Sequence, residues 1–201
     1  MKKAGSQIYL AALLIFFVAC DDGVEIRPLE SGIDASCNPP SSNDYALPYP
    51  IGETYKLFQG ICGSFDHELD FRYAFDFEMP IGSVVTAAAE GVVTQIEEGF
   101  DDGSHDRQTT NQLIVEHENG SFGRYLHLTK NGALVEIGDL VKRGDTIALS
   151  GDTGFISKPL LHFDVGRCGI SCDDFKSTTF GFFNADQPVE KENIFYTAES
   201  F

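Results

Sequence analysis

The chain has no tryptophan and two methionines, and 14 lysines and arginines stand against 31 aspartates and glutamates, for a net charge of −17 over 201 residues. So acidic a balance argues against an unmodified nucleic acid or an anionic membrane surface as partner, because the summed field repels both. It suits a surface kept from self-association, and secondarily the attraction of amino groups. An apolar run long enough to span a bilayer is also missing. The one candidate, Ile8 to Val18, falls short of the roughly 20 residues a spanning helix needs. The body has no internal repeat and no long stretch with an amphipathic 3.6-residue period, which counts against a helix bundle.

What is present favours strands. Seventeen Phe, seven Tyr and twenty Gly, in short β-branched runs between turns, point to an all-β fold, an antiparallel sheet or flattened barrel with a loop-roofed groove. The strand candidates are 71–77, 83–88, 91–97, 112–117, 122–128, 146–150 and 161–166, with one more strand in the tail. The polar loop 100–110 is long enough to overhang the groove. Its Asp101, Asp102 and Asp106 match no calcium-loop spacing and read as solvated.

The organisation expected is a leader over 1–19, a tether over 20–44 and one domain over 45–201. Lys2 and Lys3 precede the apolar run, and Phe17-Val18-Ala19-Cys20 looks like a lipobox, after which Cys20 becomes the acylated first residue. Several acyl chains on one cysteine would anchor the protein to a membrane by lipid alone, outside the cytoplasm. Residues 21–50 are rich in Asp, Ser, Asn and Pro and have little to bury, which reads as extended linker. Cys37, Cys62, Cys168 and Cys172 form an even set in an oxidising compartment. Cys168 with Cys172 and Cys37 with Cys62 is the preferred pairing. A zinc knuckle is disfavoured because Cys168 and Cys172 have no second close pair.

The chain is organised around 151–165. Gly151-Asp152-Thr153-Gly154 turns it into a run in which Leu161, Phe163 and Val165 share one face and Leu160, His162 and Asp164 the other. The first set reads as core and the second as a site wall. By the same period, Leu126 and Leu128 are expected on the core face, with Tyr125 and His127 outward. His117 reads as a structural strand residue and His105 as a loop residue.

The ordered string Phe75-Asp76-Phe77, Pro80-Ile81-Gly82, Asn111, His117, Tyr125-Leu126-His127-Leu128, Gly138-Asp139, Ser150-Gly151-Asp152-Thr153-Gly154 and His162-Phe163 resembles the lysostaphin/LytM-type zinc endopeptidases. Those enzymes cut the peptide part of bacterial cell walls. The resemblance implies a zinc held by a His-x3-Asp pair and by the second His of a His-x-His pair, three ligands that leave a position for water. Asp76 and His162 match two of them. Arg72 stands where the first His belongs, a cation that would repel zinc and could pair with Asp76 instead. His67, nine residues before Asp76, is the substitute, provided the segment between them turns or bulges. His127 matches the catalytic His that orients or deprotonates the attacking water. Leu160 replaces the other catalytic His and can neither carry a proton nor stabilise charge.

Two functions follow from the resemblance. One is a zinc endopeptidase of weak or altered activity on peptidoglycan cross-link peptides. The other is an inactive domain that binds wall peptides or regulates another wall hydrolase.

Overall fold

The period-two patterning of the short apolar runs builds the molecule from strands. The computed structural model describes residues 43–63, 67, 69–169 and 176–201. Its strands are β1 (Thr54–Gln59), β2 (Phe75–Glu78), β3 (Val84–Thr86), β4 (Gly91–Glu97), β5 (Gln112–Glu116), β6 (Phe122–Leu126), β7 (Leu128–Ala133), β8 (Leu140–Val141), β9 (Thr146–Ser150), β10 (Leu161–Gly166) and β11 (Phe195–Thr197). They form an eight-stranded sheet in the order β11-β1-β2-β10-β6-β5-β4-β8 and a three-stranded sheet in the order β3-β9-β7. Every pairing between them is antiparallel. Among the described residues no helix is long and apolar enough to cross a membrane.

The core takes one face of each central strand. Phe75 and Phe77 of β2, Tyr125 of β6 and Leu161, Phe163 and Val165 of β10 join Val85, Leu128, Ile147 and Ala148 of the smaller sheet in one buried cluster. Phe180 and Phe182 fill its centre, with ring centroids 5.2 and 5.0 Å from Phe75. Edge-on aromatic pairs of this kind add about 0.5–1.5 kcal/mol each beyond area burial.

Three expectations are corrected. The end of the presumed linker is core, since Tyr45, Ala46, Leu47 and Tyr49 are buried. Composition masked this, because Pro48 and the flanking Pro50 suggest extension while the aromatic rings supply enough apolar area to pack. The strand expected over 71–77 is shorter, for Leu69–Phe71 forms a 3-10 turn before β2 starts at Phe75. The strand expected over 122–128 breaks at His127, whose φ of 65° is left-handed. Consequently β6 stays in the large sheet and β7 crosses to the small one. The alternation does not survive that break: Tyr125 is core, with its hydroxyl accepting from the Ala88 amide at 2.8 Å, and Leu126 joins His127 in the groove wall.

Candidate metal centre

Register, more than any single strand, assembles the site. Gln59 pairs with Asp76, Asp76 with His162, His162 with Leu126, Leu126 with Gln112 and Gln112 with Glu97. These residues make one row across five neighbouring pairings, on the face opposite the core, and all six line a groove of about 480 Å³. Phe58, Phe71, Phe155 and Ile156 wall it, and the 100–110 loop contributes Phe100, Arg107, Gln108 and Thr110.

That loop is held down by its own polar groups. Asp102 accepts from the Asp152 amide at 2.6 Å, His105 Nδ1 donates to the Ile156 carbonyl at 2.9 Å, and Arg107 lies 4.9 Å from the Phe155 ring centroid. Asp106 caps the 3-10 turn Arg107–Thr109. Asp102 and Asp106 thus accept from backbone amides, while Asp101 pairs with Lys130 Nζ at 2.7 Å.

At the centre of the row, Asp76 faces two histidines. His162 Nδ1 lies 2.8 Å from Asp76 Oδ1 and His67 Nε2 lies 3.3 Å from Asp76 Oδ2. Donor atoms of all three residues fall within 4.8 Å of one another, and all three are buried. His67 arrives because the 3-10 turn Leu69–Phe71 folds the connection back, so its odd spacing from Asp76 imposes no opposite face.

The second nitrogen of each histidine is tied. His67 Nδ1 donates to the Gly60 carbonyl at 2.6 Å, and His162 Nε2 donates to Asp164 Oδ2 at 3.0 Å. Each ring therefore turns its other nitrogen toward Asp76. Donors on a tetrahedral zinc with bonds of about 2.0–2.1 Å stand roughly 3.3 Å apart. Two imidazole nitrogens and a carboxylate, buried and mutually oriented, fit that ion.

The protonation balance reflects the crowding. Burial opposes ionisation of Asp76, yet His67 and His162 outweigh it and hold the carboxyl well below the usual carboxylate range. Burial would likewise lower His162, but Asp76 and Asp164 prevail and push it up to about 9. A cation bound between these residues would have to displace the proton between His162 Nδ1 and Asp76 Oδ1.

His127 stands across the groove from this cluster, its ring centroid 6.0 Å from that of His162. Its Nδ1 donates to the Thr153 carbonyl at 2.7 Å, which leaves Nε2 as the basic atom of the neutral ring. Gly154 is needed beside it, since φ is +83° and a Cβ would collide with Thr110 Oγ1. Leu160 also lines the groove, with 2% of its surface exposed. Arg72 is absent from the lining; its carbonyl accepts from the Cys62 amide at 2.6 Å. His117 is buried on β5's end, its Nδ1 donating to the Glu90 carbonyl at 2.7 Å.

Cys62 and Cys168 are each disulfide-bonded. Cys20, Cys37 and Cys172, with the leader and most of the tether, lie outside the described residues.

Residues 70–173 match the profile of peptidase family M23. The chain belongs to that family, one of zinc metallopeptidases. It is 36% identical over 122 residues to peptidoglycan DD-endopeptidase ShyB of Vibrio cholerae, covering 58% of this chain and 26% of that protein. With lysostaphin of Staphylococcus staphylolyticus it shares 35% over 121 residues, 60% of this chain and 22% of that one. The matches thus take in about a quarter of these relatives' lengths. The catalytic domain of the prophage-encoded M23 protein EnpA of Enterococcus faecalis, solved as a point mutant, aligns with a TM-score of 0.50 at 18% identity over 65% of this chain and 93% of that one. At that identity the likeness is one of fold.

Sequence reasoning missed Gln59 and Gln112, which only strand register brings into the row. It also missed Arg124, although an arginine inside Phe122-Gly123-Arg124-Tyr125-Leu126 is an available signal of a buried, paired charge.

Proposed function

We propose that this M23 domain is a zinc-dependent endopeptidase acting on peptidoglycan cross-link peptides, with hydrolysis slowed by the loss of one acid/base group at Leu160. The observation that carries it is the convergence of His67, Asp76 and His162 to within 4.8 Å beside His127. A zinc held by those three residues would supply Lewis acidity and an acidified water. His127, fixed through Thr153, takes up a proton from the attacking water at Nε2 and returns it to the leaving amine. The groove's aromatic walls bind and orient the peptide and exclude solvent. Leu160 adds only apolar surface there. Loss of one positioned acid/base costs about 10²- to 10⁴-fold.

A second reading is favoured by that same leucine. An apolar, closely packed side chain in place of a proton carrier suits a groove that binds wall peptides, or regulates another wall hydrolase, without cutting. Zinc content and release of new amino groups from purified wall fragments separate the two. The endopeptidase reading expects about one zinc per chain and slow release that His162→Ala abolishes. Zinc with no release above that variant would transfer the proposal to the binding function, and absence of zinc would end the metal reading.

The cellular setting belongs to this proposal. Residues 1–19 act as a lipoprotein signal peptide, Cys20 carries the acyl groups, 20–44 is the tether, and the domain works outside the cytoplasm. Disulfides join Cys37 to Cys62 and Cys168 to Cys172. Intact-mass analysis of membrane-extracted protein should give acylated Cys20 as the first residue; a soluble, unmodified form starting elsewhere would refute the anchor.

A further inference from the structure

His162 is held from behind by a buried ion pair that the proposed hydrolysis does not itself use. Asp164 and Arg124 are register partners on β10 and β6, and both are 0% exposed. Arg124 Nε donates to Asp164 Oδ1, while Asp164 Oδ2 accepts from His162 Nε2 at 3.0 Å. The two carboxylate oxygens are therefore divided, one to the guanidinium and one to the imidazole. Gly166 fits the guanidinium closely, since a Cβ there would lie 2.9 Å from Arg124 Cζ.

We infer that Arg124 and Asp164 are positioning residues for the metal centre, a relay that fixes the ring plane of His162 and keeps its Nδ1 as the nitrogen offered to the cation. This deepens the zinc reading and rests on it. An ion pair placed for packing alone needs no second acceptor direction. Burying two charges is expensive, and such pairs can often be replaced by apolar residues without loss of stability. Here the carboxylate has a use that an apolar pair cannot supply, since a carboxylate behind a ligand histidine raises its basicity and sets its orientation. Arg124 in turn holds the Asp164 carboxylate in place by engaging one of its oxygens.

The test uses the full chain as wild type, Asp164→Asn, and the paired neutral variant Arg124→Met with Asp164→Leu, which leaves no unpaired buried charge. Zinc dissociation constants come from chelator competition, the visible spectrum of the Co²⁺-substituted protein reports ligand geometry, and thermal unfolding in excess chelator reports the metal-free fold. The relay expects the neutral pair to bind zinc about 10- to 100-fold more weakly with an altered cobalt spectrum, while metal-free unfolding stays within a few degrees of wild type. Asp164→Asn, whose amide oxygen still accepts from Nε2, should fall between the two, and it carries the test if the neutral pair does not fold. Wild-type affinity and an unchanged cobalt spectrum in a folded variant would overturn the relay and leave the zinc reading standing. A wild type without zinc would overturn both.

Discussion

The two sides of the groove are built from the same sheet and differ in how their polar groups are supported. On the side of β2 and β10, Asp76 and His162 are buried and each is held by further polar groups: His67 and the Gly60 carbonyl on one flank, Asp164 and Arg124 on the other. Around His127, whose Nδ1 donates to the Thr153 carbonyl, the groove residues Leu126 and Leu160 are apolar. Buried polar networks are costly unless complete. Here His67, Asp76, His162, Asp164 and Arg124 are joined in one buried chain of contacts. On the proposed function, the better supported side is the one assigned to holding the ion, and the other is the one assigned to moving protons.

The largest break in that comparison is removal of a proposed metal ligand. His67→Ala leaves two donors, which hold zinc poorly, so zinc should fall from about one per chain to near none after dialysis. Metal analysis of the folded variant checks this. Unchanged zinc would take His67 out of the site and undo the substitution for the position of Arg72.

A second measurement sharpens the contrast through pH. With the metal removed, His162 has a folded value raised from 6.5 to about 9. Its charged form therefore stabilises the fold fully below 6.5 and loses that contribution as pH rises through about 9. Asp76 runs the other way: its depressed value gives stability that is present above 3.8 and lost as pH falls. The metal-free chain should thus be most stable between these limits and decline toward pH 9, by on the order of 3 kcal/mol if one proton carries the effect. A zinc held as proposed would replace the proton on His162 Nδ1, so the loaded chain should lack the alkaline decline, and acid should weaken zinc binding. Thermal unfolding across pH 5 to 9, with and without chelator, measures it. Parallel curves would mean His162 does not exchange its proton for the ion.

How much of this was readable beforehand follows the same division. The face of β10 came out of alternation alone, because Leu161, Phe163 and Val165 run straight and obey period two. His67 could be nominated by residue type and distance, but its route to Asp76 depends on the 3-10 turn at Leu69–Phe71, which no periodicity announces. The opposite wall was misread where the backbone departs from a strand. At His127 a left-handed φ lets consecutive residues Leu126 and His127 face one groove, and it sends Tyr125 to the core. The row Gln59-Asp76-His162-Leu126-Gln112-Glu97 was invisible for a different reason, since register between distant strands is a tertiary property.

The smallest expected effect is also the most direct test of the weaker side. Leu160 precedes Leu161 on the approach to β10, bridges to Gly151, and lines the groove together with His127 and His162. Leu160→His would place an imidazole on the face shared with His162, on a stretch already shaped for it. Its side chain is buried, so the new ring needs a partner, and the groove offers one in the substrate's developing charge. Cleavage of wall peptides should rise by at least about tenfold, the low end for a positioned acid/base. The assay compares amino-group release by wild type, Leu160→His, and Leu160→His with His162→Ala as the metal-dead control. If all three are equally inactive while the first two hold zinc, the groove has lost more than one proton carrier and its function is binding. If wild type already matches Leu160→His, then His127 with the ion is sufficient, and the two sides are more equal in chemistry than their packing suggests.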